Sequence, residues 1–188
     1  LQMTLRGSPC LYQGDELGLP EADIAFEDLH DPYGIEMWPD FKGRDGCRTP
    51  MPWVAEAADL GFGSAGARPW LPLADSHRAL AADRQEADAQ SLLHFYRRLL
   101  RWRRQQPALY DGTQTLLPAH EQIFAFVREG SRQRLLCAYN FSDRPARLEL
   151  PANLWVAALC TASGVTSGRC DAEGIELAPW GGVIALLS

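Results

Sequence analysis

The sequence predicts an α/β segment over residues 1–109 followed by an all-β domain, an antiparallel β-sandwich, over residues 110–188. Three observations predict this order. A short apolar run entered through Pro9 reads as a buried parallel strand. A strongly amphipathic helical pattern ends at Pro107. After Gly112, short strand-like runs alternate with turn residues, which is typical of a sandwich. We therefore expect a domain boundary near residue 110.

The first part of the chain is predicted from its apolar runs and turn residues. Leu1–Leu5 resembles the last turn of a helix closed by Gly7. Ser8–Gln13 is predicted to be the buried strand. Residues 19–87 show no sustained periodicity, and a loop of this length is usually functional. A helix is predicted from an N-cap at Asp88 to a stop at Pro107.

A single strand, loop and helix cannot bury both faces of the strand, so we expect the partners of this unit to lie upstream in a longer polypeptide. The strands of the second part are predicted from short apolar runs. These runs are Ile123–Arg128, Arg134–Phe141, Arg147–Leu150, Leu154–Cys160, Ile175–Leu177 and Val183–Leu187.

Composition excludes several classes of partner. The net charge of −6 and the absence of a basic tail argue against nucleic acid. No apolar run is long enough to span a bilayer, so no membrane partner is predicted. The five cysteines are scattered and odd in number, which favours free thiols in a reducing, cytoplasmic setting. The four histidines are equally dispersed, so no metal site or cofactor is predicted.

The loop Gly43–Trp53 (GRDGCRTPMPW) contains more side chains suited to ligand recognition than any other stretch of the sequence. Arg48 is its principal candidate for substrate binding, because a guanidinium can hold a carboxylate and still offer an N–H to a hydroxyl group of a ligand. The alternative is a structural salt bridge from Arg48 to Asp45 or Asp40. Arg44 is a second substrate-binding candidate, although for Arg44 and Asp45 a role in loop structure is favoured.

Other polar and aromatic residues receive structural interpretations. Asp15 and Glu16 follow the predicted strand but are adjacent, so they are poor candidates for a catalytic pair, and loop-capping hydrogen bonds are favoured. Asn140 is expected to serve the turn after its strand. Four loop aromatics could stack on the rings of a ligand, but a small core within the loop is favoured. They are Tyr33, Trp38, Phe41 and Trp53.

Several stretches together carry a resemblance to a known family. Arg6–Gly18 (RGSPCLYQGDELG) looks like the eighth barrel strand of α-amylase-family glycoside hydrolases. Gly43–Trp53, followed by Gly61-Phe62 and Pro69–Leu73 (PWLPL), is similar to the α-glucosidase and oligo-1,6-glucosidase branch. Leu92–Leu99 (LLHFYRRL) and Tyr139–Ser142 (YNFS) match in the same order, so the resemblance covers essentially the whole chain.

The resemblance implies the last βα unit of a (β/α)₈ TIM barrel followed by a C-terminal β-sandwich. It implies an α-glucosidase that hydrolyses terminal α-linked glucose from short oligosaccharides or disaccharides by a retaining mechanism. The aspartate nucleophile, glutamate acid/base and second aspartate of such enzymes normally lie on earlier strands. No catalytic residue is therefore assigned to this chain, and the isolated chain is predicted to be inactive.

In the enzymes that this sequence resembles, the arginine of the Arg-Thr-Pro step, here Arg48, helps to form the pocket around the terminal glucose. Three alternatives remain open. The same family includes glucosyltransferases and sucrose isomerases. A non-catalytic ectodomain of amino-acid transporter heavy subunits also resembles these enzymes. Residues 110–188 could instead act alone as a sugar-binding module, which is disfavoured because the sequence indicates no exposed aromatic cluster.

Overall fold

The computed structural model describes residues 1–64, 66–171 and 174–188. The chain divides into two compact units. One unit is Leu11–Tyr96, and the other combines Leu1–Cys10 with Arg97–Ser188. We describe each unit by itself.

The unit Leu11–Tyr96 is built from short helical turns joined by irregular segments. The two short α-helices are α1, Pro32–Glu36, and α2, Ala82–Ala87. The 3₁₀ turns are Asp15–Leu17, Phe26–Asp28, Asp45–Cys47 and Asp75–Leu80. This agrees with the absence of periodicity in the sequence, because no run is long enough to make an amphipathic helix or a paired strand.

The long helix α3, Leu92–Arg103, begins later than predicted. Ser91 precedes it, and its hydroxyl oxygen accepts a hydrogen bond from the amide of His94 at 3.3 Å. The predicted N-cap at Asp88 is wrong, since its carboxylate instead accepts from the amide of Gln90 within a turn. Pro107 does not simply stop the helix but opens a further short helix, α4, Pro107–Tyr110, where its missing N–H costs nothing.

The predicted strand at Ser8–Gln13 is also wrong. None of these residues is in a strand, and Leu11 and Tyr12 are 38% and 49% exposed. A parallel strand needs neighbours for its hydrogen bonds, and no described segment of this chain pairs with it. Upstream of it, Leu5 donates to the carbonyl of Leu1 at 3.3 Å, a single helical turn that Gly7 follows with a φ of 115°.

The other unit contains two antiparallel sheets. The strands are β1 Thr113–Leu116, β2 Ile123–Gly130, β3 Gln133–Asn140, β4 Ala146–Glu149, β5 Val156–Leu159, β6 Gly168–Cys170, β7 Gly174–Leu177 and β8 Gly182–Leu187. One sheet has the strand order β1-β2-β3-β8-β5 and the other has β4-β7-β6. All six predicted runs overlap a strand. The two that sequence reasoning missed, β1 and β6, are short, and β1 is mostly exposed.

The two sheets share one hydrophobic core. Alternate residues of β2, β3 and β8 point into this core. The residues between them, such as the paired Phe126, Cys137 and Ile184, lie on the opposite face of the sheet. Leu148 of β4 and both Ile175 and Leu177 of β7 close the core from the second sheet. This is the sandwich that the sequence predicts.

The second face of the five-stranded sheet holds the segment Leu1–Leu5. Arg128 is fully buried there and donates to the carbonyl oxygens of Thr4 (2.8 Å), Gly112 (3.1 Å) and Thr113 (3.3 Å). Thr4 and Tyr139 also share a hydrogen bond of 2.6 Å between their hydroxyl groups. Because burial alone would penalise this guanidinium, its carbonyl partners are what make its position tolerable.

Replacing Arg128 with methionine should therefore destabilise the protein by about 1–3 kcal/mol, because three carbonyl groups lose a charged donor. Urea unfolding followed by tryptophan fluorescence measures this change. The matched control is Arg132→Met, since Arg132 is exposed and its loss should change the free energy of unfolding by less than about 0.5 kcal/mol. Equal stability of the two variants would contradict the anchoring role of Arg128.

Candidate functional site

The candidate site begins at Asp31, which precedes α1 and is completely buried. The residue after it is Pro32, the first residue of the helix, whose fixed φ suits that position. The Asp31 carboxylate accepts a hydrogen bond of 3.3 Å from the amide of Tyr33, which is the N-cap bond of α1. Sequence reasoning missed this residue, although an aspartate directly before a proline is a signature of a helix start.

Two nitrogens of the Arg44 guanidinium donate hydrogen bonds to the Asp31 carboxylate. Its Nε donates to Oδ2 at 2.8 Å and its Nη2 to Oδ1 at 3.0 Å, while the backbone amide of Arg44 donates to Oδ2 at 2.8 Å. The guanidinium hydrogen bond holds the pKa of Asp31 far below its ordinary value. These contacts show that Arg44 holds the loop at Asp31.

Asp45 is the second fully buried carboxylate of the site. It accepts from the amides of His30 (2.6 Å) and Asp31 (2.7 Å) and from Nη2 of Arg48 (2.5 Å). Burial acts to raise the pKa of Asp45, but these hydrogen bonds outweigh it and the pKa lies below its ordinary value. The structural role predicted for Asp45 is thus also confirmed.

Arg48 lies between Asp45 and an exposed indole. Its Nη2 is 4.0 Å from the Asp31 carboxylate as well as bonded to Asp45, and its Cζ lies 5.2 Å from the ring centre of Trp70. The salt bridge named as the alternative for Arg48 is therefore present, with Asp45 rather than Asp40. Its buried Nε has no hydrogen-bond partner among the described residues, while the side chain as a whole is 32% exposed.

Two glycines allow the loop to close on these carboxylates. Gly43 has a φ of 73°, and a Cβ there would lie 2.9 Å from the Asp31 carboxylate. Gly46 accepts a hydrogen bond from the amide of Ala22 at 3.0 Å, and a Cβ on Gly46 would come within 2.4 Å of the Ala22 carbonyl oxygen. A side chain at either position would force the loop away from its partner.

The loop aromatics do not form a core. Tyr33, Trp38, Phe41 and Trp53 are 36–64% exposed, so that prediction is wrong. Aliphatic residues fill the unit instead, with Leu17, Leu60 and Leu71 at most 2% exposed. The leucine side chains carry no polar atom that needs a partner inside the loop. The rings of Tyr33, Trp38 and Trp53 each carry an O–H or N–H group and lie at its surface.

The acidic pair Asp15 and Glu16 caps backbone groups, as predicted. Asp15 accepts from the amide of Tyr12 and Glu16 from the amide of Gly14, each at 3.0 Å. Asn140 likewise serves its turn by donating to the carbonyl oxygens of Arg144 and Ala178. Neither set of contacts leaves a group positioned for catalysis.

Over residues 1–64, 66–171 and 174–188, no three His, Cys, Asp or Glu side chains are grouped to hold a metal ion. Among the helices of this described part, none has the length and apolar character needed to cross a bilayer.

Comparison with family models gives the class of protein to which this chain belongs. Residues 1–112 match the profile described as alpha amylase, catalytic domain, and residues 113–184 match that of maltogenic amylase, C-terminal domain. The chain belongs to the alpha-amylase family.

Individual relatives agree with this assignment. A probable alpha-glucosidase of Rhizobium meliloti (strain 1021) is 44% identical over all 188 residues, which are 33% of its own length. Probable oligo-1,6-glucosidase 2 of Bacillus subtilis (strain 168) is 31% identical over 79% of this chain and 29% of its own length. The chain therefore spans about a third of the length of these curated relatives.

A solved structure matches over the whole chain. The alpha-glucosyl transfer enzyme XgtA is 48% identical, with a TM-score of 0.90, over 100% of this chain and 34% of that one. The resemblance to the α-glucosidase and oligo-1,6-glucosidase branch, and the predicted fold class, are confirmed.

The paired carboxylates predict an acid-sensitive loop. Both Asp31 and Asp45 have pKa values below those of the unfolded chain. Their stabilising contribution is therefore complete above the unfolded value of about 3.9 and is lost as the pH falls through the folded values. Urea unfolding between pH 2.5 and about 7 should show that Asp31→Asn destabilises the protein near neutral pH and that its deficit shrinks toward acid.

Asp143→Asn is the control for this measurement, since the Asp143 side chain is 79% exposed and should leave the pH profile unchanged. A deficit of Asp31→Asn that stays constant across the acid range would show that the charge of Asp31 is not what holds the loop.

Proposed function

We propose that the polypeptide containing this chain is a retaining α-glucosidase that releases terminal α-linked glucose from short oligosaccharides or disaccharides. Arg48 forms part of the wall around the terminal glucose. The observation that carries this proposal is the state of its guanidinium, with one terminal nitrogen fixed by a buried carboxylate and Nε unpaired among the described residues.

This arrangement suits recognition of a sugar hydroxyl. Asp45 fixes the guanidinium before substrate arrives, so little rotational freedom is lost when an N–H group donates to the ligand. Lysine could not reproduce this geometry, because its single ammonium group cannot hold a carboxylate and offer a second N–H in a fixed plane. Arg44 is the second substrate-binding residue and lies at the rim of the pocket. Its side chain is 62% exposed, and its guanidinium is paired with the carboxylate of Asp31.

The catalytic carboxylates are assigned to another part of the polypeptide. A retaining glycosidase needs two carboxyl groups about 5–5.5 Å apart, one with a raised pKa. Asp31 and Asp45 have lowered pKa values and are both engaged by arginine. They are unsuited to act as general acid, and Asp15 and Glu16 cap the backbone.

The division of the chain follows from the same proposal. Residues 1–109 are the last part of the barrel, and residues 110–188 are the C-terminal β-sandwich domain. The two family matches meet between residues 112 and 113, which supports a boundary there. The five cysteines are free thiols, which supports a cytoplasmic location.

Arg48→Lys in the complete enzyme should lower kcat/KM for maltose by about 10- to 100-fold, which corresponds to the loss of one charge-assisted hydrogen bond. Steady-state kinetics with purified enzyme measures this. Arg98→Lys is the matched control, because Arg98 lies exposed on α3 and should retain wild-type kinetics. A fully active Arg48→Lys enzyme would remove Arg48 from the pocket.

Glucosyl transfer is the second candidate function, since the 48%-identical structure is that of a glucosyl transfer enzyme. Transfer differs from hydrolysis only in which acceptor attacks the glucosyl intermediate. A sucrose isomerase would be a special case in which the released sugar is itself the acceptor.

Product analysis on maltose with an added alcohol separates the two functions. We expect free glucose to dominate over the alkyl glucoside. Predominance of the glucoside at about 1 M alcohol would identify the enzyme as a transferase. Sucrose as sole substrate tests isomerisation in the same assay, because an isomerase gives a disaccharide product.

A further inference from the structure

A cavity of about 110 Å³, which we call the His77 cavity, lies within the unit Leu11–Tyr96. A single water molecule needs roughly 10–15 Å³ of such space, so there is room for a small ion or molecule. Neither Arg48 nor Trp70 is among the described residues that line the cavity. Its lining includes the polar side chains of Asp15, Glu21, Cys47, Thr49 and His77.

His77 places a buried acceptor without a partner at this cavity. The residue is only 2% exposed, and its Nε2 lies 2.8 Å from the carbonyl oxygen of Pro20. Because a carbonyl oxygen only accepts, Nε2 carries the hydrogen, and Nδ1 is the acceptor of the neutral ring. Nδ1 is buried and has no hydrogen-bond partner among the described residues. A buried acceptor without a donor costs free energy, so a ligand that supplies an N–H or O–H group is favoured here.

The charged groups at the His77 cavity are negative. Asp15 and Glu21 line it, whereas no lysine or arginine does so among the described residues. The Glu21 carboxylate makes no hydrogen bond or ion pair with any residue that the structure describes. One oxygen of Asp15, Oδ2, accepts from the amide of Tyr12. The two carboxylates give the lining a charge of about −2 at neutral pH, which favours a cation as the ligand.

The unpaired nitrogen decides which kind of cation fits. Across the described ranges 1–64, 66–171 and 174–188, no three His, Cys, Asp or Glu side chains are grouped to hold a metal ion. An alkali cation prefers oxygen ligands and leaves the Nδ1 lone pair without a hydrogen. An ammonium ion carries four N–H donors, so it can bond a ring nitrogen and carboxylate oxygens at the same time. Thr49, which is 7% exposed, adds a hydroxyl oxygen that can also accept.

We propose that the His77 cavity binds an ammonium ion, whose N–H groups donate to Nδ1 of His77 and to the carboxylate of Glu21. Binding satisfies the buried acceptor and neutralises part of the negative charge of the lining. Because Glu21 and His77 are 56 residues apart in the sequence, the ion joins two distant segments of the unit and stabilises the folded state. The inference does not depend on the proposed α-glucosidase function, since no substrate takes part.

Thermal unfolding of the complete polypeptide in different chloride salts at equal ionic strength tests the inference. Ammonium chloride at about 0.1 M should raise the unfolding midpoint by about 1–3 °C relative to sodium chloride. Potassium and tetramethylammonium chloride should give no such increase, because their cations carry the same charge without an N–H group. His77→Leu should abolish the increase that is specific to ammonium, and Glu21→Gln should reduce it to less than about half.

Glu36→Gln is the matched control, because Glu36 is an exposed carboxylate of the same unit that does not line the cavity, and it should keep the full ammonium effect. Each variant is compared with itself in two salts, so a lower stability of His77→Leu does not alter the comparison. If His77→Leu fails to fold, Glu21→Gln decides the outcome.

Three results would overturn the inference. Equal midpoints in ammonium and sodium chloride would show that no ammonium ion binds. An equal increase in potassium chloride would show that charge alone is responsible. A full ammonium effect in Glu21→Gln would place the ion away from the His77 cavity.

Discussion

The unit Leu11–Tyr96 depends on keeping the carboxylates of Asp31 and Asp45 out of water while both are charged. A buried carboxylate is costly unless hydrogen bonds and an opposite charge replace its hydration. Backbone amides of His30, Asp31 and Arg44 donate hydrogen bonds to these carboxylates. The guanidinium groups of Arg44 and Arg48 add the opposite charge. The loop path must therefore bring these amides and guanidinium groups to the two carboxylates.

This constraint also positions the side chains of Arg48 and Trp70. Arg48 is restrained on two sides, because Asp45 fixes one of its terminal nitrogens and the Trp70 ring centre lies 5.2 Å from its Cζ. Trp70 in turn lies against His30, whose amide donates to Asp45. Direct contacts thus join these four residues into one network.

The sequence was informative where local pattern decides structure. Short apolar runs bounded by turn residues located β2, β3 and β8, and the turn residue Asn140 was assigned correctly from its chemistry. The choice of Arg48 and its alternative partner Asp45 was possible because the two are three residues apart. The caps at Asp15 and Glu16 were likewise local.

Long-range partners were beyond the reach of sequence pattern. The pair of Asp31 with Arg44 spans 13 residues of irregular loop, and the stacking of Trp70 on Arg48 spans a longer one. In the sequence Arg128 cannot be distinguished from an arginine on the surface of a strand. Only the fold brings the carbonyl oxygen of Thr4 within hydrogen-bond distance of its guanidinium. The strand predicted at Ser8–Gln13 failed for a related reason, since apolar character indicates burial but does not supply a neighbour.

Gly46 and Cys47 are adjacent but differ in what an evolving sequence can do with them. At Gly46 a single added carbon would meet the Ala22 carbonyl oxygen and the Glu21 side chain. A substitution of Gly46 therefore requires a second change in the segment that contains these two residues. At Cys47 the side chain is exposed and its thiol only donates to the carbonyl of Arg44. Diversity among paralogues should therefore concentrate at position 47, where a new side chain can alter the surroundings of Arg48 without rebuilding the loop.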